Sequence, residues 1–308
     1  MTGNEITTAD VVIVGAGMVG LTLASALGGS DLNVVVVEPS EQQPEQLWKH
    51  TQLQTQQGYD ARVSALTLAS EQILRNLGAW ERMEQLRVSP YSHMHVWDGE
   101  GTASIDFSAG QMHESHLGHI VENRVTIAAL HQTIAEHQNI SVLRGLSLKE
   151  MSPVGDDLLT SQATRQLSMS DGQRLNARLV VAADGARSTT RRLAGLAVNE
   201  WDYQHHAIVT TVRVEHFHQN TAWQRFTEDG PLAMLPLSTG SASQNLLSIV
   251  WSTSPDHARL LMAMDDAEFC AALGVAFEHR LGKVLGADPR YSFPLVQRHA
   301  PRYVDQSI

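Results

Sequence analysis

The sequence holds one cysteine, Cys270, among 308 residues. An internal disulfide is excluded, and a lone thiol suits a reducing cytoplasm, where its ordinary role is that of a buried small hydrophobe. Long apolar runs are missing: nothing approaches the roughly 18 residues needed to cross a bilayer. Basic residues are scarce beside acidic ones, 22 Lys and Arg against 33 Asp and Glu, for a formal net charge of -11. That balance argues against nonspecific binding to nucleic acid or anionic lipid, which requires a basic face. The 15 histidines are scattered, with His205-His206 the only adjacent pair. Neither HExxH nor paired CxxC spacing occurs, so no metal is assigned. The opening MTGNEITTAD is polar and runs directly into a strand, so no signal peptide is expected. There is no internal repeat. The Gln-rich stretch QQPEQLWKHTQLQTQQGYD, residues 42–60, is poor in apolar residues and is expected to be an exposed loop.

The rest has the composition of a soluble globular protein, 43% hydrophobic and 18% charged. Its length allows one large domain or two ordinary ones with a substantial core. Residues 11–40 read VVIVGAGMVGLTLASALGGSDLNVVVVEPS. Val11–Val14 is a short unbroken apolar run, as in a parallel strand buried on both faces. Glycines follow, then Val19, Leu21, Leu23, Ala24 and Leu27 at helical spacing, with Gly28-Gly29 as the stop. Val34–Val37 is a second buried strand, ending in Glu38. In this β-α-β unit Gly15, Gly17 and Gly20 let a diphosphate approach the helix N-terminus, and Glu38 would accept the ribose hydroxyls. The pattern predicts a dinucleotide site without separating NAD from FAD.

Three further stretches bear on that choice. DARVSAL, residues 60–66, precedes a helix from about Thr67 to Gly78. In GHIVENRVTIAALHQTIAEH a strand, roughly His119–Val121, meets a helix capped by Asn123. Arg124 then falls in the first turn, where a cation is unfavourable unless an anion sits beside it; a solvated arginine is the plainer alternative. In ARLVVAADGARSTTRRLAG, residues 177–195, a buried strand Leu179–Ala183 ends in an Asp184-Gly185 turn, and Ser188 begins or caps a helix. Asp98-Gly99, Asp171-Gly172 and Asp229-Gly230 also form turns, the second of them closing a hairpin. Of the four, Asp184 alone lies at the carboxyl end of a buried parallel-type strand, where open α/β sheets bind ligands.

Together these stretches resemble the flavoprotein aromatic hydroxylases of the p-hydroxybenzoate hydroxylase class. The resemblance implies FAD as cofactor, with Gly15, Gly17, Gly20 and Glu38 at its ADP moiety and Arg62 on the flavin side. Arg124 falls on a matching position, and Asp184 and Gly185, with Ser188 and Arg191, would serve both FAD and the reduced nicotinamide. Thr190 departs from the small aliphatic residue common before the arginine, a change taken as minor. SHLGHIVENR (residues 115–124), EWDYQHHAIVTTV (200–212), AWQRFTEDGPLAMLPL (222–237) and LLSIVWSTSP (246–255) are similar to ubiquinone-biosynthesis hydroxylases of the UbiH/UbiF/VisC group.

That resemblance implies an α/β fold, a Rossmann-like FAD-binding domain with a second, antiparallel-sheet substrate domain. Residues 1–90 and 120–197 would form the first, 91–119 and 198–295 the second, and 296–308 the start of a return. Strands are expected within Met94–Phe107 and at Ile208–Val214, Ala222–Phe226, Leu232–Leu237 and Leu247–Trp251. An amphipathic helix, Asp266–Gly282, would bury Phe269, Leu273, Phe277 and Leu281. The implied reaction is hydroxylation of a polyprenylated phenol or benzoquinol ring through a C4a-hydroperoxyflavin, with NADPH, NADH or a partner reductase as donor. Other ubiquinone-biosynthesis proteins are conceivable partners, and the location would be cytoplasmic or peripheral at the inner face of a bacterial membrane. No catalytic base is identified; Tyr203, His205 and His206 are candidates by type. Members of the class continue into a second Gly-Asp motif, GDAAH…HPxxGQGxN in pattern, with no equivalent here. The expectation is therefore a C-terminally truncated, inactive hydroxylase without FAD, self-associating through a strand left bare beside the first. Another flavoprotein of the same fold (a prenyl reductase or halogenase) and a flavin-free scaffold are the alternatives.

Overall fold

The computed structural model describes residues 7–153, 155–157, 162–238 and 245–308. The first six residues of the polar opening lie outside them. Strand Thr7–Val14 is central in the first sheet, parallel to Val34–Glu38 on one side and to Arg174–Ala182 on the other. Ile140–Arg144 extends the parallel part, and Gln162–Met169 joins Arg174–Ala182 antiparallel. The valine runs do not alternate because both faces are covered. Val11, Ile13, Val34 and Val36 pack under Leu21, Ala24, Val125 and Ala129 of two helices. Val12, Val14, Val35 and Val37 pack against Leu148, Leu167 and Leu175. Asp171-Gly172 closes the Gln162–Met169/Arg174–Ala182 hairpin, with Gly172 at φ +90°.

Four expectations change here. The first strand is paired on both sides, so it is not itself left bare; the outer ladder stops instead on its neighbour Arg174–Ala182. Leu179–Ala183 is not buried throughout: Leu179 is 41% exposed, because strand pairing on its outer side ends at Ala177. Beyond that point the C-terminal residues lie alongside, and the Val180 amide donates to the Ser307 carbonyl at 2.9 Å. The Gln-rich stretch is a helix, Pro44–Gln57, rather than a loop. Its start is fixed by Pro44 in the first turn and by a reciprocal capping box between Gln43 and Gln46. Glutamine is a good helix former, and Trp48 alone supplies the large contact with the core, so the usual apolar stripe is faint.

The fourth change concerns the second sheet, which runs Val284–Ala287, Asn199–Val214, Leu246–Thr253, Gly230–Leu237, Thr221–Thr227, His93–Asp98, Ser104–Ser108. Tyr291–His299 also pairs with the long strand Asn199–Val214. The sheet is not wholly antiparallel, because Thr221–Thr227 lies parallel to His93–Asp98, a strand contributed by a distant part of the chain. On one face Phe269, Leu273, Phe277 and Leu281 are all buried against Ile208, Leu232 and Ile249, as the amphipathic stripe predicted. The helix itself stops at Ala276; Glu278 and His279 take positive φ to turn the chain toward Val284. A small antiparallel sheet, Val63–Thr67, Gly118–Glu122 and Ser89–Tyr91, adjoins the large one, and Ser89 Oγ accepts from the Ser238 amide at 3.0 Å.

Candidate functional site

The three glycines of the first loop have different reasons to be glycine. Gly15 has φ +107°, and a Cβ there would lie 2.5 Å from the Ala183 carbonyl oxygen. A Cβ on Gly20 would lie 2.0 Å from the Gly15 carbonyl oxygen. Both permit close approach of backbone to backbone. A Cβ on Gly17 would meet nothing within 4 Å. Gly17 stands at the N-terminus of helix Met18–Ala26, which has no side-chain cap and no acidic residue in its first turn. A helix end without a side-chain cap offers first-turn amides and the positive end of its dipole, an arrangement suited to an anion from outside the chain.

Glu38 braces this loop. Its Oε2 accepts from the Ala16 amide at 2.9 Å and its Oε1 from the Ser40 amide at 3.0 Å. A carboxylate accepts about four hydrogen bonds, so capacity remains for ribose hydroxyls. Asp184 stands next to the loop, lining a cavity of about 190 Å³ with Val14, Gly15 and Val37. Its Oδ2 accepts from the Thr190 amide at 3.0 Å and from Thr190 Oγ1 at 3.1 Å. Its Oδ1 is buried with no hydrogen-bond partner among the described residues. Thr190 is fully buried and holds Asp184 in place, so the departure taken as minor has a defined part. Gly185 turns the chain at φ +78°, and Ser188 caps the following helix by accepting from the Arg191 amide.

A second constellation surrounds Glu122, at the end of the fully buried strand Gly118–Glu122. Glu122, not Asn123, holds the N-cap position of helix Asn123–Ile134, while Asn123 Oδ1 accepts from Ser64 Oγ at 2.6 Å. Arg87 Nε donates to Glu122 Oε2 at 2.8 Å, and the Asp60 amide donates to Oε1 at 2.7 Å. The Arg87 guanidinium stacks 3.5 Å over Tyr59 and donates to the Thr55 and Gly58 carbonyls. Arg124 Nη2 donates to Glu122 Oε1 and to the Gly58 carbonyl, and its Nε is buried without a partner among the described residues. The anion that Arg124 needs at a helix N-terminus is therefore Glu122, two residues away. Arg62 and Arg124 come together on a cavity of about 400 Å³, walled by Tyr59 and by Thr211, Tyr291 and Phe293 of the second sheet.

The structure thus gathers Gly15, Gly17, Gly20, Glu38, Asp184 and Gly185 at the ends of the first sheet, and Arg62 and Arg124 between the sheets. Tyr203, His205 and His206 line neither cavity. Tyr203 donates to Gln297, the His205 ring nitrogens face the carbonyls of Tyr203 and Asp229, and His206 Nδ1 faces Ser292 Oγ at 3.0 Å. Sequence reasoning missed Glu122 and Arg87, and it noted Thr190 without giving it a part. For Glu122 a signal existed, an acid placed between a strand and an arginine-bearing helix. It also passed over a cluster of Glu71, His116 and His119, whose ligand atoms lie within 4.8 Å of one another.

Residues 8–303 match the FAD binding domain family. The chain is 35% identical over 301 residues to the 3-demethoxyubiquinol 3-hydroxylase of Escherichia coli, spanning 97% of this chain and 71% of that protein. It is 34% identical over 308 residues to the ubiquinone hydroxylase UbiL of Rhodospirillum rubrum, spanning 100% of this chain and 66% of that protein. Against the ubiquinone biosynthesis monooxygenase COQ6 of Xenopus tropicalis the identity is 35%, over 87% of this chain but 56% of that protein. Among solved structures, pqsL of Pseudomonas aeruginosa, a probable FAD-dependent monooxygenase, superposes with a TM-score of 0.71 at 19% identity, covering 98% of this chain and 77% of that one. This last likeness concerns the fold alone.

Proposed function

Since the chain belongs to the FAD binding domain family, alongside the ubiquinone-biosynthesis hydroxylases, we propose that it hydroxylates the ring of a polyprenylated phenol or benzoquinol. The observation that carries the reading is Gly17, open to its surroundings at an uncapped helix N-terminus. The first-turn amides would hold the diphosphate of FAD, the free lone pairs of Glu38 the adenosine ribose, and Asp184 Oδ1 a hydroxyl of the cofactor. Arg62 and Arg124 would face the flavin side, with Tyr291 and Phe293 as apolar wall for an aromatic ring. FAD supplies oxygen activation, and these side chains bind, orient and exclude water. NADPH or NADH is the proposed donor. A polyprenyl substrate favours work at the membrane periphery; no helix among the described residues is long and apolar enough to cross a membrane. The division into residues 1–90 with 120–197 and 91–119 with 198–295 belongs to the same proposal, supported by the partition of strands between the large sheets.

Two measurements test it. In a protein extended to the full length of its relatives, titration of FAD against the parent and Gly17→Val, followed by flavin fluorescence, should show binding lost in a variant whose unfolding curve is unchanged. Equal affinity would overturn the assignment of this loop. Oxygen uptake by the same extended protein with reduced nicotinamide and a prenylated phenol should yield a product heavier by one oxygen atom; flavin reduction without that product would sink the hydroxylase reading.

A further inference from the structure

Away from both cavities, helix Leu68–Asn76 faces strand Gly118–Glu122 through one carboxylate. Glu71 is buried, and its Oε2 lies 2.7 Å from His116 Nε2 and 3.1 Å from His119 Nδ1. His119 is 6% exposed, and its Nδ1 points at the carboxylate without a hydrogen bond among the described residues. We propose that Glu71, His116 and His119 form a binding site for a divalent transition metal of the zinc type, bound by two imidazoles and a carboxylate with a fourth position left to water.

The donor set is the one borderline divalent ions prefer. Bonds of 2.0–2.2 Å in a tetrahedron place ligand atoms about 3.3–3.6 Å apart; the two carboxylate–imidazole separations, 2.7 and 3.1 Å, would open slightly, and the three atoms, all within 4.8 Å of one another, would draw to that spacing around an ion. The surroundings also fit. Metal-binding histidines fix their tautomer by donating the other ring N–H, and His116 Nδ1 stands 2.8 Å from Ser115 Oγ. Arg75 contacts Glu71 through Oε1 at 2.9 Å and leaves Oε2 to the histidines. Arg75 is in turn faced by Glu81 at 3.6 Å and Glu84 at 3.3 Å, so carboxylates outnumber guanidiniums around the cluster. A bound ion would tie the helix to the strand that ends at Glu122.

The test titrates the purified chain with zinc chloride in competition with a chromophoric chelator, with thermal unfolding in parallel. One equivalent should bind, and the melting temperature should rise with zinc. His119→Ala and Glu71→Gln should each weaken binding at least about tenfold, whereas His205→Ala, a surface histidine elsewhere, should not. Glu71→Gln keeps the shape of the side chain and decides the matter if His119→Ala fails to fold. Absence of a zinc-dependent rise in the parent, or equal zinc affinity in parent and Glu71→Gln, would overturn the site and leave a hydrogen-bonded His-Glu cluster.

Discussion

The glycine loop and the Glu122 assembly both prepare a surface for a ligand, by opposite means. The loop works by absence: Gly15 and Gly20 let backbones touch, and Gly17 leaves a helix end open. The assembly works by side chains, with one buried carboxylate holding two guanidiniums and a backbone amide drawn from separated segments. Backbone geometry is set within one β-α-β unit, so the loop is local. The assembly exists only once residues 55–60, 87 and 122–124 have met. Damage to the first should depend on which glycine changes; damage to the second should spread into stability.

The contrast is sharpest at Gly20. Gly20→Val drives a side chain into the Gly15 carbonyl, which as backbone cannot move aside, and should cost more than about 4 kcal/mol or abolish folding. Urea unfolding beside Gly17→Val, expected to match the parent, checks this; equal losses would erase the distinction between packing and ligand glycines. Next is Arg87→Ala, which leaves Glu122 buried with Arg124 alone; removing one partner of such a pair costs about 3–5 kcal/mol in the same assay.

Acid should strike the helix that carries Arg124. Burial first, and Arg144 second, push the His131 imidazole down to about 4. A histidine with a depressed folded-state pKa contributes stability above its unfolded value near 6.5, and that contribution is lost as pH falls toward 4. The expected loss is on the order of 3 kcal/mol between those limits, and His131→Leu should flatten the profile of unfolding free energy against pH. In a protein extended to the full length of its relatives, Arg124→Ala should act chiefly on ligand: FAD affinity falls by about 1.5–3 kcal/mol in a fluorescence titration, the worth of a charge-assisted bond. The smallest effect is Thr190→Val, which removes one of two donors to Asp184 Oδ2 while keeping shape. It should cost about 1 kcal/mol, read by denaturant unfolding.

What could be foreseen follows the same division. The unbroken valine runs, the glycine spacing and Glu38 specify the β-α-β unit, because strand burial and turn geometry are written in neighbouring residues. The stripe Phe269, Leu273, Phe277, Leu281 likewise specified a core face, but its period could not say that the helix ends at Ala276, since the turn toward Val284 is imposed by the sheet. Helix Pro44–Gln57 escaped because its support is a glutamine capping box and one tryptophan contact, neither visible as amphipathic period. By itself the sequence raised an anion beside Arg124 at a helix start against a solvated arginine, and determined that Asp184 ends a strand and that Thr190 is unusual. Only the tertiary structure decided that the anion is Glu122, that Arg87 shares it, and that Thr190 holds Asp184 with one oxygen free. The reason is physical: a local pattern states which charge or donor must be satisfied, whereas which group satisfies it depends on segments far apart in the chain arriving within about 3 Å of one another.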